Sequence, residues 1–205
     1  MAENIIAVSF NDHVLLAASG QETFYFMQLH NKEDKLYELD QYKVLGVLGQ
    51  NAHRVNFVDY IRANLDLSTL RSNGRRLTTA AAASYIRGEL ARALRETGAY
   101  ECQIVLAGYD FPASDFDKRP AGPSLYFLDY LGTLQKVPYA CHGYGATFSM
   151  AILDRYYRPD MQEKESIELL KMCLAETRKR IIINNEFFIV KSLSKDGVKK
   201  IENVF

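Results

Sequence analysis

The 205-residue sequence has no charge of one sign to spare, since 25 Lys and Arg face 25 Asp and Glu. That balance removes the basic excess expected of a nucleic-acid or anionic-membrane binder. It also removes the self-repulsion that keeps many monomers soluble, which favours life in an assembly. Cysteine is scarce. Cys102, Cys141 and Cys173 stand at unrelated spacings, without a CxxC pair or a histidine at ligand spacing, so neither a disulfide framework nor a zinc site is expected and no cofactor is called for. A reducing compartment is the default. The first twenty residues lack a basic segment followed by an apolar run and a small-residue cleavage site. No stretch approaches the roughly 18 apolar residues of a membrane span, so the chain is expected to be soluble and intracellular. Its length suits one domain, 1–205, with a full core.

What is present is organised around Pro138 to Pro159, PYACHGYGATFSMAILDRYYRP. It reads as a strand end, a turn at Gly143 and Gly145, and then a helix. Phe148, Ala151, Ile152 and Tyr156 recur at helical spacing, and Met150, Leu153 and Tyr157 widen the stripe. Such a helix is expected to be covered on several sides. GYGA lacks the further glycine of a dinucleotide loop and the Lys-Ser/Thr of a triphosphate loop, so a strand-to-helix corner is the better reading.

From the start of the chain, Ile5 to Phe10 and Val14 to Ala18 are short apolar runs around an Asn11-Asp12-His13 turn. Ser19 to Asn31 has no clean period. Lys35 to Leu39 and Lys43 to Leu48 form a second hairpin ending at Gly49. From Ala52, Val55, Val58, Ile61 and Leu65 share a helical face, with Arg54, Asp59 and Arg62 opposite, and Ser72-Asn73-Gly74 breaks the helix. Thr78 or Thr79 caps a second, alanine-rich helix that stops at Gly98 and buries Ala82, Tyr85, Ile86, Leu90, Ala93 and Leu94. Strands return at Cys102 to Tyr109, Ser124 to Asp129 and Leu134 to Ala140, with a polar loop from Phe111 to Pro123. After the organising helix comes another, Lys164 to Arg180, with Ile167, Leu170, Leu174 and Met172 or Cys173 inward. Glu186 to Ser192 and Val198 to Ile201 close on Asp196-Gly197 as a final hairpin. Blocks of strands alternating with helix pairs are not the rhythm of a parallel doubly wound sheet. Near-continuous apolar strands are buried on both faces when two sheets stack between two helix pairs. The fold class is therefore α+β, a four-layer αββα sandwich.

LAGYD (Leu106 to Asp110), GPSLYFLDYLGTL (Gly122 to Leu134), HGYG and ILDRYY (Ile152 to Tyr157) together resemble beta subunits of the eukaryotic proteasome core particle, most nearly those of the fourth beta position, also called beta type-2. The resemblance spans nearly the whole chain. It implies the N-terminal-nucleophile hydrolase fold, which agrees with the sandwich, and membership of a four-ring barrel. It also implies partners in the other beta subunits and the alpha ring, a place in the cytoplasm and nucleus, and a part in ATP- and ubiquitin-dependent protein degradation.

Active members of that family attack with a threonine exposed at the mature N-terminus, whose own amine helps take the hydroxyl proton. Aligned on VLLAAS (Val14 to Ser19) and Lys35, this sequence carries Glu3 and then Asn4 where active members carry threonines. Only two residues precede Glu3, and neither is the glycine after which a leader is cut. Ser19 falls where an aspartate is usual, Lys35 matches the family's lysine, Gly49 the glycine of the oxyanion hole, and Tyr144 the site of a serine. The Asp and Ser that complete the cluster have no counterpart in Thr177 to Asn185. Glu3, Ser19, Lys35, Gly49 and Tyr144 are thus vestigial positions, and no catalytic, cofactor or metal residue is assigned. The alternative, an active threonine-type endopeptidase, needs Thr23 or another threonine at the N-terminus. The one Gly-Thr, Gly132-Thr133, lies in a mid-domain turn. Cys141 and His142 are neighbours in a strand and point to opposite faces, so they do not form a nucleophile-base pair.

Overall fold

A computed structural model describes residues 3–24, 27–96, 98–112, 122–181 and 187–201. The chain opens with β1 (Asn4–Ser9) and β2 (His13–Ser19), followed by a short hairpin of β3 (Glu22–Phe24) and β4 (Met27–His30). Next come β5 (Leu36–Asp40), β6 (Lys43–Gly49), α1 (Asn51–Arg71) and α2 (Thr79–Glu96). β7 (Cys102–Asp110), β8 (Gly122–Leu128), β9 (Leu134–Lys136) and β10 (Tyr139–Gly143) lead into α3 (Ala146–Tyr156) and α4 (Glu163–Arg180). β11 (Phe188–Ser194) and β12 (Gly197–Ile201) follow. The strands build one five-stranded sheet in the order β10-β1-β2-β11-β12 and another in the order β5-β6-β7-β8-β9, with every recorded pairing antiparallel.

The period-two alternation of strand side chains separates the core into three layers. Ile5, Ala7, Val14 and Leu16 point from the first sheet toward Val44, Leu48, Val105 and Ala107 of the second. Their neighbours Ile6, Val8, Leu15 and Ala17 point the other way, onto Leu153 of α3 and Leu169, Leu170, Cys173 and Leu174 of α4. On the far side, Leu45, Val47, Ile104 and Leu106 meet Phe57, Val58 and Ile61 of α1 and Ile86 and Leu90 of α2. Both faces of β1, β2 and β6 are covered, which explains their unbroken apolar runs. The four-layer sandwich is present as read.

Several local readings change. β2 begins at His13, which is buried rather than in the turn, because its ring stacks on Phe10 and reaches Ser166 Oγ at 2.8 Å. Ser19 to Asn31, without a period, holds the β3-β4 hairpin. Leu134 to Ala140 is not one strand. The chain leaves β9 at Val137, whose N–H still bonds Leu125 O, and Pro138 turns it into β10 in the opposite sheet, offering its carbonyl to Ser9 N–H at 2.8 Å. Proline cannot donate into a ladder, so it marks the switch. On α1, Val55 is exposed, and its buried face is Arg54, Phe57, Val58 and Ile61. Leu94 of α2 and Met172 of α4 also face solvent, whereas Cys173 is inward. α3 buries Ser149 and Leu153 fully and Ala146, Met150 and Ile152 in part, and leaves Tyr156 exposed. Thr78 rather than Thr79 caps α2, accepting Ala81 N–H at 3.2 Å, and Asn73 at φ 51 ends α1's turn. β11 is described from Phe188, and most of the Phe111 to Pro123 loop and of Ile181 to Glu186 lies outside the described residues.

Candidate functional site

The described chain starts at Glu3, which is buried. Glu3, just ahead of β1, sends its side chain toward β5, and its Oε1 lies 2.9 Å from Lys35 Nζ. The two side chains are 7% and 0% exposed. Lys35 also donates to Gln21 O. Burial pulls the Lys35 ammonium below the usual lysine range, against the opposing pull of the Glu3 carboxylate. Behind this pair stands Arg54, fully buried on α1, bonded to Glu33 and to Asn51 Oδ1 at 3.0 Å. Its guanidinium is held above the usual arginine value by the Glu33 bond and nearby negative charges, although burial opposes them. Arg54 was read outward because arginine is rarely buried unpaired; the signal available was its spacing, three and seven residues before Phe57 and Ile61 on one helical stripe. Glu33 and Glu22, which complete the charged group, carry no motif that sequence could show.

The other site positions fall around this pair. Ser19 Oγ is fully buried and accepts Asn4 N–H at 3.0 Å, so it braces β1 rather than facing a substrate. Gly49 ends β6 at φ 154, and a Cβ there would lie 2.5 Å from Glu101 O, so no other residue fits. Its strand is tied to the site through Val47 N–H on Lys35 O at 3.1 Å. Gly143, at φ 95, presses its backbone on Glu3, where a Cβ would come within 1.9 Å of the Glu3 carbonyl. Gly145 N–H donates to Asn4 Oδ1 at 2.5 Å, which pins the start of α3 to β1. Tyr144 sits between these two glycines but turns outward, 65% exposed, so its phenol does not join the group. Glu3, Ser19 and Lys35 are therefore gathered, Gly49 stands alongside, and Tyr144 lies outside the group.

The chemistry of this arrangement is narrow. Lys35's amine is engaged by a carboxylate and a carbonyl, Ser19's hydroxyl is walled in, and Glu3 offers no hydroxyl. A cleft of about 380 Å³ opens beside it, lined by Leu48, Phe127, His142 and Tyr144 among others, and not by Glu3, Lys35 or Gly49. His142 stacks on Phe127 and bonds Ile104 O, while Cys141 packs in the layer beneath α3 and α4, so the two side chains do take opposite faces. Among the described residues no group of three or more His, Cys, Asp or Glu is placed to hold a metal ion.

Two antiparallel sheets stacked between helix pairs, with a lysine under the head of the first strand, define an αββα sandwich of the N-terminal-nucleophile hydrolase kind. A family model described as "Proteasome subunit" matches residues 2–193. The chain is 46% identical over 205 residues to a protein named proteasome subunit beta type-2 from Trypanosoma brucei brucei, covering 100% of both. It is 39% identical over 198 residues to proteasome subunit beta type-2-B from Arabidopsis thaliana, covering 97% of this chain and 94% of that one. To proteasome subunit beta type-4 from Saccharomyces cerevisiae it is 34% identical over 199 residues, covering 97% and 96%. The chain belongs to the proteasome subunit family, among its beta subunits.

Proposed function

We propose that this chain is a non-catalytic beta subunit at the fourth ring position of the proteasome core particle. Its work is to complete the beta ring and the wall of the chamber in which proteins delivered by the ATP- and ubiquitin-dependent route are degraded. The observation that carries the reading is the Glu3–Lys35 ion pair. A threonine-type nucleophile needs a hydroxyl over the lysine, whereas here a carboxylate occupies that place. The substitution is balanced in charge. Where the resemblance places an aspartate in active members, this chain has Ser19, and the carboxylate beside Lys35 is that of Glu3. Groups that act as a unit in catalysis leave little turnover once the attacking atom is gone.

A subunit of a closed hetero-ring presents different faces to its two lateral neighbours, to the alpha ring and to the opposite beta ring. The exposed Met27 and Leu29 of the β3-β4 hairpin suit such contacts. The zero net charge supports no nucleic-acid or membrane partner, and we place the particle in the cytoplasm and nucleus. The test is covalent labelling of intact particles containing this chain with a vinyl-sulfone or lactone probe, followed by mass spectrometry of each subunit. We expect active beta subunits to carry the adduct and this chain to carry none. An adduct on this polypeptide, or a processed form beginning with threonine, refutes the proposal.

A further inference from the structure

The chain has as many acids as bases, yet three exposed arginines, Arg71, Arg75 and Arg76, meet no carboxylate, carbonyl or ring among the described residues. Exposed arginines elsewhere are engaged: Arg92 and Arg180 pair with Glu89 and Glu176, and Arg95 bonds Ala91 O at 2.6 Å. Arg71 closes α1, where the negative end of the helix dipole favours a cation. Arg75 and Arg76 lie beyond the helix and have no such account. The turn that carries them is held in place, with Ser72 N–H on Ser68 O at 3.0 Å, Gly74 N–H on Thr69 O at 2.9 Å and Arg75 N–H on Ser72 O at 3.1 Å. Beside it, between α1 and the first turns of α2, opens a groove of about 260 Å³ whose walls include Leu65, Leu67, Arg71, Ser72, Leu77 and Tyr85. Ser72 and Leu77 flank the turn, so Arg75 and Arg76 stand on the border of the groove. Leu67 is 41% exposed, and Leu70, one helical turn on, is 76% exposed, more than any other large apolar side chain of the described residues.

We propose that this groove seats a segment of a neighbouring protein chain in which a leucine-sized or aromatic side chain is flanked by carboxylates. This rests on the chain being a ring subunit, which keeps partner chains at hand, and adds the place and chemistry of one contact. The volume falls below the roughly 300–1,000 Å³ of small-molecule sites, so it suits the side chains of a docked segment better than a metabolite. A phosphate or nucleic acid would satisfy the arginines and leave Leu67 and Leu70 in water. An acidic segment with an apolar anchor covers both. The planar guanidinium fork takes a carboxylate through two parallel N–H bonds, and three such forks border one apolar trough. A second copy of this chain fits poorly, because a symmetric contact would set the same three arginines against each other. The hydrogen-bonded turn is already ordered, so docking loses little conformational freedom on this side.

The experiment uses assembled particles. Leu70→benzoylphenylalanine puts a photo-cross-linker on the rim of the groove, and mass spectrometry reads the captured peptide. We expect a segment of another chain of the particle, with Asp or Glu beside the cross-linked position. In a second measurement, wild-type chain and the triple variant Arg71→Glu/Arg75→Glu/Arg76→Glu are co-expressed, and their ratio in particles is compared with that in free chain. Exposed ion pairs are weak singly, and three together amount to about a tenfold depletion of the variant from particles. Replacing the captured segment's carboxylates with lysines should return the variant to particles. All three changes are at exposed positions, so the free variant should melt with the wild type; if it does not, the cross-link, made with the arginines in place, decides. No capture, a captured peptide without acids, capture of a second copy of this chain, equal incorporation of both forms, or no rescue by the lysine exchange overturns the proposal and leaves the ring reading standing. A wild-type chain that never enters particles overturns both.

Discussion

Removing the Glu3 carboxylate is the sharpest perturbation available. Lys35 is 0% exposed, and its ammonium has two acceptors, Glu3 Oε1 and Gln21 O. In Glu3→Ala the carbonyl alone remains, and a buried cation is left without a counter-charge. Breaking a buried pair from one side costs about 3–5 kcal/mol, and the surviving carbonyl puts this case near about 3 kcal/mol. For a chain of 205 residues each kcal/mol moves the melting temperature by about 2–4 °C, so the midpoint should drop by about 10 °C. The pH dependence is equally specific. Burial already depresses Lys35, and the Glu3 charge is the largest influence opposing it, so the variant depresses it further. A depressed lysine costs stability increasingly as pH falls from its ordinary 10.5 to its lowered folded value, so the deficit of Glu3→Ala should be largest near neutrality and shrink as pH rises past 10.5, above which the amine is neutral in both states. Urea unfolding at about pH 7 and about pH 9.5 reads both quantities. The double variant Glu3→Leu/Lys35→Met, which removes both charges, should return to within about 1 kcal/mol of wild type. A deficit below about 1 kcal/mol in Glu3→Ala, or one that grows with pH, refutes the reasoning.

Arg54→Met should cost about 3 kcal/mol in the same assay. It should also weaken the acid-side loss of stability that Glu33 imposes, because the largest influence holding that carboxyl below its ordinary value is gone; an unchanged loss would assign it elsewhere. Gly143→Ala asks a residue with a Cβ to hold φ 95 within 1.9 Å of the Glu3 carbonyl, so a loss of about 3 kcal/mol or more is expected, and a wild-type melting curve would show that the turn can rearrange. Burial pushes the Cys102 and Cys173 thiols up to about 12 and raises Cys141 as well, so native protein should resist thiol reagents that label all three after unfolding. Rapid labelling of any one in folded protein would contradict that burial.

The layered fold was legible because strands covered on both faces leave unbroken apolar runs, and VLLAA, VLGVLG and IVLAG are such runs. The helices were legible by position, less so by face. α1 carries Val55, Tyr60, Leu67 and Leu70 outward as well as Phe57, Val58 and Ile61 inward, so apolarity alone did not mark its buried side. The same ambiguity made α3 look enclosed, since an outward Tyr156 and an inward Leu153 read alike in a string of letters. The β9-to-β10 sheet switch hid inside one apolar stretch, and Pro138 was its sole trace.

The amino-acid order by itself determined the sandwich, because the periodicity of strands and helices carries that information directly, and the words LAGYD, GPSLYFLDYLGTL, HGYG and ILDRYY carried the likeness to the family. Only the tertiary structure decided what the Glu3 carboxylate does. Glu3 and Lys35 are far apart in sequence, as are Glu22, Glu33 and Arg54, and ion pairing is a property of distance and desolvation in space. Folding sets Glu3 against Lys35 and Glu33 against Arg54, and both cations lie where water is excluded and a counter-charge must replace it.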